Sequence, residues 1–140
     1  GGFWSAYWYN GNIYGAEIAR GIDVFRLTPS EFLSENELAA ANLVRFDEFN
    51  SQNQPKVTWP PSFTVAKAYL DQLERGQAID GARAKALRAA FDQGDKRNKG
   101  ALDELEKAAA DLETGAAASK DPARYKALAE AIRTRTARLR

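Results

Sequence analysis

The run Asp95-Lys96-Arg97-Asn98-Lys99-Gly100-Ala101-Leu102-Asp103-Glu104-Leu105-Glu106 has the outline of a calcium loop. Glycine stands at its sixth place and a carboxylate at its twelfth, as such a loop requires. Its third and fifth places should supply oxygen ligands, yet Arg97 and Lys99 put cations there. A helix start with solvated charges is therefore expected, and no metal ligand is assigned. Asp103, Glu104 and Glu106 could pass for a paired-carboxylate site, but on a helix Asp103 faces Lys107 four residues on, which makes a surface ion pair. Arg133, Arg135, Arg138 and Arg140 form a basic end that spreads around the helix, and a helix C-terminus attracts cations without any partner. Trp4, Tyr7, Trp8, Tyr9 and Tyr14 could be a stacking platform for a carbohydrate or other ligand, since a ring offers a broad apolar face with a polar tip. Packing against a neighbouring element is the alternative use of the same rings.

Two absences remove whole chemistries. Without His the chain lacks the usual general base and metal ligand, and without Cys it has no thiolate nucleophile, thiolate zinc site or disulfide. Ser, Lys and Tyr remain, but no phosphate-cradling glycine loop, nucleophile elbow or metal spacing frames them. The expectation is a non-enzymatic chain that needs no cofactor. The net charge of +1 gives the whole molecule no electrostatic pull on nucleic acid. The charge is nevertheless uneven: residues 1–62 hold four Lys/Arg against seven Asp/Glu, a net of −3, and residues 63–140 hold sixteen against twelve, a net of +4. No apolar run approaches the roughly 20 residues that span a bilayer, so membrane association would come only through a partner. Met is also absent and the chain opens Gly1-Gly2-Phe3-Trp4, which points to a processed product or a piece of a longer polypeptide.

The elements that must carry these residues fall into two styles. Phe3–Tyr9 is dense in aromatics, which favour a pleated surface, and Asn10-Gly11-Asn12 is a hairpin signal. A second strand is expected over Ile13–Ala19, a turn at Arg20-Gly21, and a third strand over Ile22–Leu27. Large rings fall on both faces, so both should be covered. Glu17 and Asp23 are expected to partner Arg20 and Arg26 at turns or edges. Three strands with open edges and two apolar faces are a poor domain alone. Either the helices cover them, in a small α+β domain, or they complete a sheet elsewhere as a partial blade.

The run from Gly1-Gly2-Phe3-Trp4 through Asn10-Gly11-Asn12-Ile13-Tyr14-Gly15 to Glu17-Ile18-Ala19-Arg20-Gly21-Ile22-Asp23-Val24-Phe25 resembles the last blade of bacterial LVIVD-repeat proteins. Leu27–Ser34 resembles that family's exit from its β-propeller. The segments Gln54–Phe63 and Ala68–Arg75 are similar to the helical tail that follows it. The resemblance implies the end of an exported or surface-displayed propeller, hence an extracytoplasmic place, and a non-catalytic structural role. It carries across no catalytic residues. The other blades are absent, so a closed propeller cannot form from this chain alone.

Helical signals dominate from Thr28 on. Thr28-Pro29-Ser30-Glu31 and Ser34-Glu35-Asn36-Glu37 each place a capping box, giving a short turn and then a helix to about Arg45 that buries Phe32, Leu33, Leu38, Ala41 and Leu43. Pro55, Pro60 and Pro61 keep the following linker extended, with Phe46, Phe49, Val57 and Trp59 pinning it to a surface. Four amphipathic stripes follow: Phe63, Ala66, Leu70, Leu73; then Ala84, Leu87, Phe91; then Leu102, Leu105, Ala109, Leu112; then Tyr125, Leu128, Ile132, Leu139. Gly76, Gly94 and Gly115 are read as stops, and Asp80, Asp95 and Asp121-Pro122 as starts. Short connections favour an up-and-down bundle, and the helix–Gly–helix layout is similar to FIMAT-type modules of bacterial surface proteins.

The sequence thus predicts an α+β fold, mainly α: a three-stranded antiparallel meander (1–28), a capped helix and proline-rich packed linker (29–62), and a bundle of about four helices (63–140). Phe3, Trp4, Tyr7, Trp8, Tyr9, Tyr14 and Trp59 are the candidate interaction surface. The partner would be another protein or the missing propeller of a longer chain. An accessory subunit of a larger, membrane-associated complex and an aromatic-platform ligand binder are the alternatives.

Overall fold

The computed structural model describes residues 1–53 and 56–140, so Gln54 and Pro55 of the linker lie outside the described residues. The fold is α+β and mainly α, a three-stranded antiparallel sheet followed by five α-helices. It divides into two compact units, Gly1–Pro60 and Pro61–Arg140. The meander and most of the 29–62 stretch therefore share one unit.

In the first unit β1 (Phe3–Tyr9), β2 (Asn12–Glu17) and β3 (Gly21–Phe25) lie in chain order. Tyr9 pairs with Asn12 across a two-residue loop whose Asn10 (φ 48°) and Gly11 (φ 96°) both take positive φ. That is the type I′ turn, whose twist matches the strands it joins. Glu17 pairs with Gly21 across Ile18-Ala19-Arg20, and Gly21 (φ 102°) takes the left-handed position that closes such a three-residue loop. Strands β2 and β3 each end short of the predicted Ala19 and Leu27, because Glu17 and Phe25 are the last residues that pair.

Thr28–Glu31 starts no helix. Ser30 and Leu33 instead exchange backbone hydrogen bonds in a tight turn. The second capping box does form: the Ser34 hydroxyl accepts from Glu37 N–H, and the Glu37 carboxylate accepts from Ser34 N–H. Helix α1 (Glu35–Ala41) makes only two turns and stops before Arg45. Its buried contacts are Ala40 and, just beyond it, Val44, whereas Phe32 is 74% exposed and Leu43 is also exposed. Leu33, Leu38 and Ala41 are half-buried. The expected inward face was thus rotated and too long, since the helix ends before Leu43 and Phe32 precedes its cap.

The second unit contains α2 (Phe63–Arg75), α3 (Gly81–Asp95), α4 (Lys99–Gly115) and α5 (Pro122–Leu139). Ser62, Asp80, Asn98 and Asp121 each cap a helix by accepting from a backbone N–H of its first turn. Arg124 N–H, then its guanidinium, hold the Asp121 carboxyl below the ordinary aspartate value. The cap's contribution is therefore complete above that ordinary value and is lost as acid carries the pH down through the lowered one.

Each helix packs on its sequence neighbour, and α5 also closes on α2. The ends fix the directions. Tyr125, at the start of α5, donates its hydroxyl to Ala78 O beyond the end of α2. Arg135, near the end of α5, lies 5.8 Å over the Phe63 ring at the start of α2. Thr136 of α5 bonds Glu106 of α4, and Arg88 of α3 bonds Asp71 and Glu74 of α2. These contacts describe an up-and-down bundle. All four stripes read from the sequence meet in one core, with Leu139 at its margin.

Two of the expected stops hold, Gly76 as the C-cap of α2 and Gly115 as the last residue of α4, whereas Gly94 lies inside α3. Gly76 has an ordinary φ of −78°, and Gln77 takes the left-handed conformation (φ 52°). Ala78 N–H reaches Leu73 O and Gln77 N–H reaches Glu74 O, which is a Schellman closure. The end of α3 repeats it, with Arg97 (φ 57°) left-handed, Asn98 N–H on Gln93 O and Arg97 N–H on Gly94 O. Asp95 is accordingly the last residue of α3, and Asn98 caps α4. A left-handed residue with a Cβ costs about 1–2 kcal/mol, part of which glycine returns to the flexible unfolded chain. Gln77→Gly is thus expected to raise stability by about 0.5–1 kcal/mol, read as a higher urea midpoint by circular dichroism.

Candidate functional site

Strand register sorts the candidate rings. Tyr7, Tyr14 and Val24 are cross-strand neighbours on one face of the sheet, which Tyr9 also shares. Trp8, Ile13 and Phe25 line up on the other, and Phe3 crosses Gly15 there to meet Phe25 edge-on at 5.9 Å. A Cβ on Gly15 would sit 2.8 Å from the Phe3 ring, so the small residue makes that crossing possible. Trp4 stands at a register shift in β1 and is 78% exposed. Trp59 is also exposed, at the end of the linker rather than pinned down. The seven candidate residues therefore do not form one platform.

The linker is held to the first face by hydrogen bonds at the hairpin turn. Asn10 reads Phe46 as another strand would: its amide donates to Phe46 O (2.8 Å) and accepts from Phe46 N–H (2.9 Å). Tyr9 hydroxyl donates between Phe46 O (3.0 Å) and Asp47 O (3.2 Å), and Arg45 donates to Asn10 O (2.8 Å). Phe49 then lies 6.2 Å from Tyr9 and 5.3 Å from Phe46. The result is a cleft of about 510 Å³ walled by Tyr7, Tyr9, Tyr14 and Phe49 and rimmed by Asp47 and Glu48. On the other face, Trp8 and α1 enclose a second cleft of about 430 Å³, bordered by Leu33, Leu38, Glu37, Arg26 and Arg45.

Phe49, Asp47 and Glu48 were not among the candidate residues. Their signal was present in Phe46-Asp47-Glu48-Phe49, a pair of rings around a pair of acids, but only the turn contacts of Asn10 show which face receives it. Glu17 was read as a turn partner, and its role is larger. Its carboxylate is buried in the β2–β3 turn and accepts from Ala19 N–H (2.7 Å), Arg20 N–H (2.6 Å) and Gly2 N–H (3.2 Å). Arg20 pairs with Asp23 at 2.7 Å.

Burial separates the two units sharply. Among the described residues, every exposed large hydrophobic lies in Gly1–Pro60, from Phe3 and Trp4 to Ile22 (74%), Val24 (58%) and Trp59. That unit buries only Ala40 and Val44 of its hydrophobic residues, whereas the helical unit encloses all the rest of the core.

The run Asp95–Glu106 is split between the end of α3, its link and α4. Asp95 pairs with Arg135 (2.8 Å), Asp103 with Arg140 (2.6 Å) rather than Lys107, and Glu106 accepts from Thr136 (2.8 Å). Arg133 pairs with Glu113. The basic end is thus joined to α3 and α4 by cross-helix pairs, which corrects the reading that the helix terminus alone accounts for it. Among the described residues, no group of three or more His, Cys, Asp or Glu is placed to hold a metal ion, and no helix is long and apolar enough to cross a membrane. No family model, curated protein or solved structure matches the chain.

Proposed function

We propose that the chain is a non-catalytic protein-interaction module in which Gly1–Pro60 makes the contact and the helical unit is its self-sufficient support. The distribution of apolar surface carries this reading. Exposed apolar groups that gather in one region mark association surfaces, whereas scattered ones do not. Here the large ones all lie in the unit that has almost no core, and the other unit exposes no large hydrophobic among the described residues. Covering Ile22, Val24 and Trp4 would each contribute about 1.5–3 kcal/mol, on the scale of burying a large side chain.

The sheet suggests the form of the contact. A propeller blade has about four strands, and this sheet has three with the outer sides of β1 and β3 unpaired. The register shift at Phe3/Ser5 roughens the β1 edge, while β3 is regular along Gly21–Phe25 and carries one charged residue, Asp23. An edge of that kind is a template for another strand. We therefore keep the end of a propeller, with the exported location that accompanies it, as the favoured context for this module.

A photo-crosslinking amino acid at Val24, compared with one at the exposed Lys85 of α3, tests the proposal in the native host. Crosslinks concentrated at Val24 are expected. Joining to another part of the same polypeptide supports the propeller context, and joining to a separate protein supports the subunit role. Equal or absent crosslinking at Val24 would sink the reading of the first unit as the contacting one.

A further inference from the structure

We propose that the cleft on the Tyr7, Tyr9 and Tyr14 face receives an arginine side chain of a partner polypeptide. This deepens the reading of Gly1–Pro60 as the contacting unit and rests on it. Two chemistries meet in the cleft. Tyr9 has Tyr14 and Phe49 as ring neighbours, each with centres 6.2 Å away, so several aromatic rings line one opening. Asp47 and Glu48 stand at its rim, both exposed, and neither makes an ion pair among the described residues.

The surroundings add to the same sign. Residues 1–60 hold four Lys/Arg and seven Asp/Glu, a net of −3. A cation approaching this face therefore meets a favourable field, then two carboxylates at the rim, then rings whose faces are negative. Arginine fits these three together better than lysine does. Its guanidinium is planar, stacks on a ring, sheds water more readily than an ammonium, and presents a fork of donors to a carboxylate. A neutral sugar could stack on the rings and donate hydroxyls to the carboxylates, but it would leave their charge unneutralised.

The cleft is preformed. Tyr9 hydroxyl is engaged by the backbone of Phe46 and Asp47, so its ring is held as a wall, and Asn10 fixes the segment that carries both acids. Less ordering is then needed when the ligand enters.

Titration of the full chain with a blocked Gly-Arg-Gly-Arg-Gly peptide, followed by NMR of the tyrosine rings, tests the proposal. Lysine and glutamine versions of the peptide and choline serve as competitors. The arginine peptide is expected to shift Tyr7 and Tyr14, to bind about threefold or more tighter than the lysine version, and to weaken as salt is raised. Asp47→Asn with Glu48→Gln, on the exposed rim, should weaken it about fivefold, and Tyr14→Leu by a similar factor. Equal binding of the glutamine peptide, tighter binding of choline, no binding of the arginine peptide, or an unaffected rim variant would each overturn it. Those outcomes leave the Val24 crosslinking result untouched, so the two proposals fail separately.

Discussion

Phe91→Ala is expected to destabilise the helical unit by about 3–5 kcal/mol, the cost of removing a fully buried phenylalanine. Phe91 has no exposed surface, and its ring stacks on Phe63 with centres 5.2 Å apart and planes 18° from parallel. The substitution removes the ring's transfer energy and leaves a cavity that fully buried Phe63, Leu70 and Leu105 cannot easily collapse into. A unit of this size holds about 4–12 kcal/mol in all, at about 0.05–0.15 kcal/mol per residue. The loss is thus a large share of that margin. Melting followed at 222 nm should fall by about 12 °C or more. Phe32→Ala is the matched control in the first unit: with Phe32 74% exposed, the change should stay within about 0.5 kcal/mol. A small loss at Phe91, or a large one at Phe32, would contradict the assignment of core and free surface on which the proposed function depends.

The bundle was legible because its signal is periodic and redundant. Leu70, Leu73, Leu105 and Leu128 recur at helical spacing, and misplacing one would leave the stripe readable. Its stops were less legible because glycine has two uses. Gly94 was read as a terminator, yet it lies within α3, where a Cβ would stand 2.8 Å from the Phe63 ring and 3.0 Å from Leu105. It is small so that two buried side chains can approach the backbone, while Arg97 takes the left-handed turn. Local pattern cannot separate those uses, since the atoms that decide come from other helices. The same limit applied to charge. Asp103 has Lys107 at the right spacing, but Arg140, the residue after α5, reaches it.

The sheet was legible in its turns and less so in its faces. Asn10-Gly11 demands positive φ and sets the β1–β2 register, from which Tyr7 opposite Tyr14 follows. The cleft was hidden because it depends on the side chain of Asn10 meeting the backbone of Phe46, a contact across 36 positions that has no period. The turn residue thus has a second task that its propensity does not announce. The expected rings of the sheet divide between its two faces because strand alternation separates Trp8 from Tyr7 and Tyr9, however close they stand in the chain.

Glu17→Ala should release the β2–β3 hairpin while leaving the helices intact. The Glu17 side chain is only 3% exposed, and its two oxygens accept from three backbone N–H groups. Hydrogen bonds to a charged group contribute about 1.5–3 kcal/mol each. Water can replace the carboxylate at Ala19 and Arg20, which are exposed, so the net loss should be about 3 kcal/mol rather than the sum. A bundle with a full core could absorb that. The first unit, with Ala40 and Val44 as its buried hydrophobics, has little apolar burial to offset it. Amide exchange at Gly21, Ile22 and Val24 should therefore quicken by about a hundredfold, while exchange in α2 and α5 stays unchanged. Unchanged protection in β3 would show that the turn closes without its carboxylate. Glu17→Gln should fall between, since the amide keeps one acceptor oxygen but loses the charge and brings an NH₂ group into a site filled with donors. The expected quickening also bears on function, because β3 presents both Val24 and the open edge. If Glu17 holds that strand, its removal should abolish the Val24 crosslinks without lowering the melting temperature of the bundle, which would place the contact in the sheet and the stability in the helices.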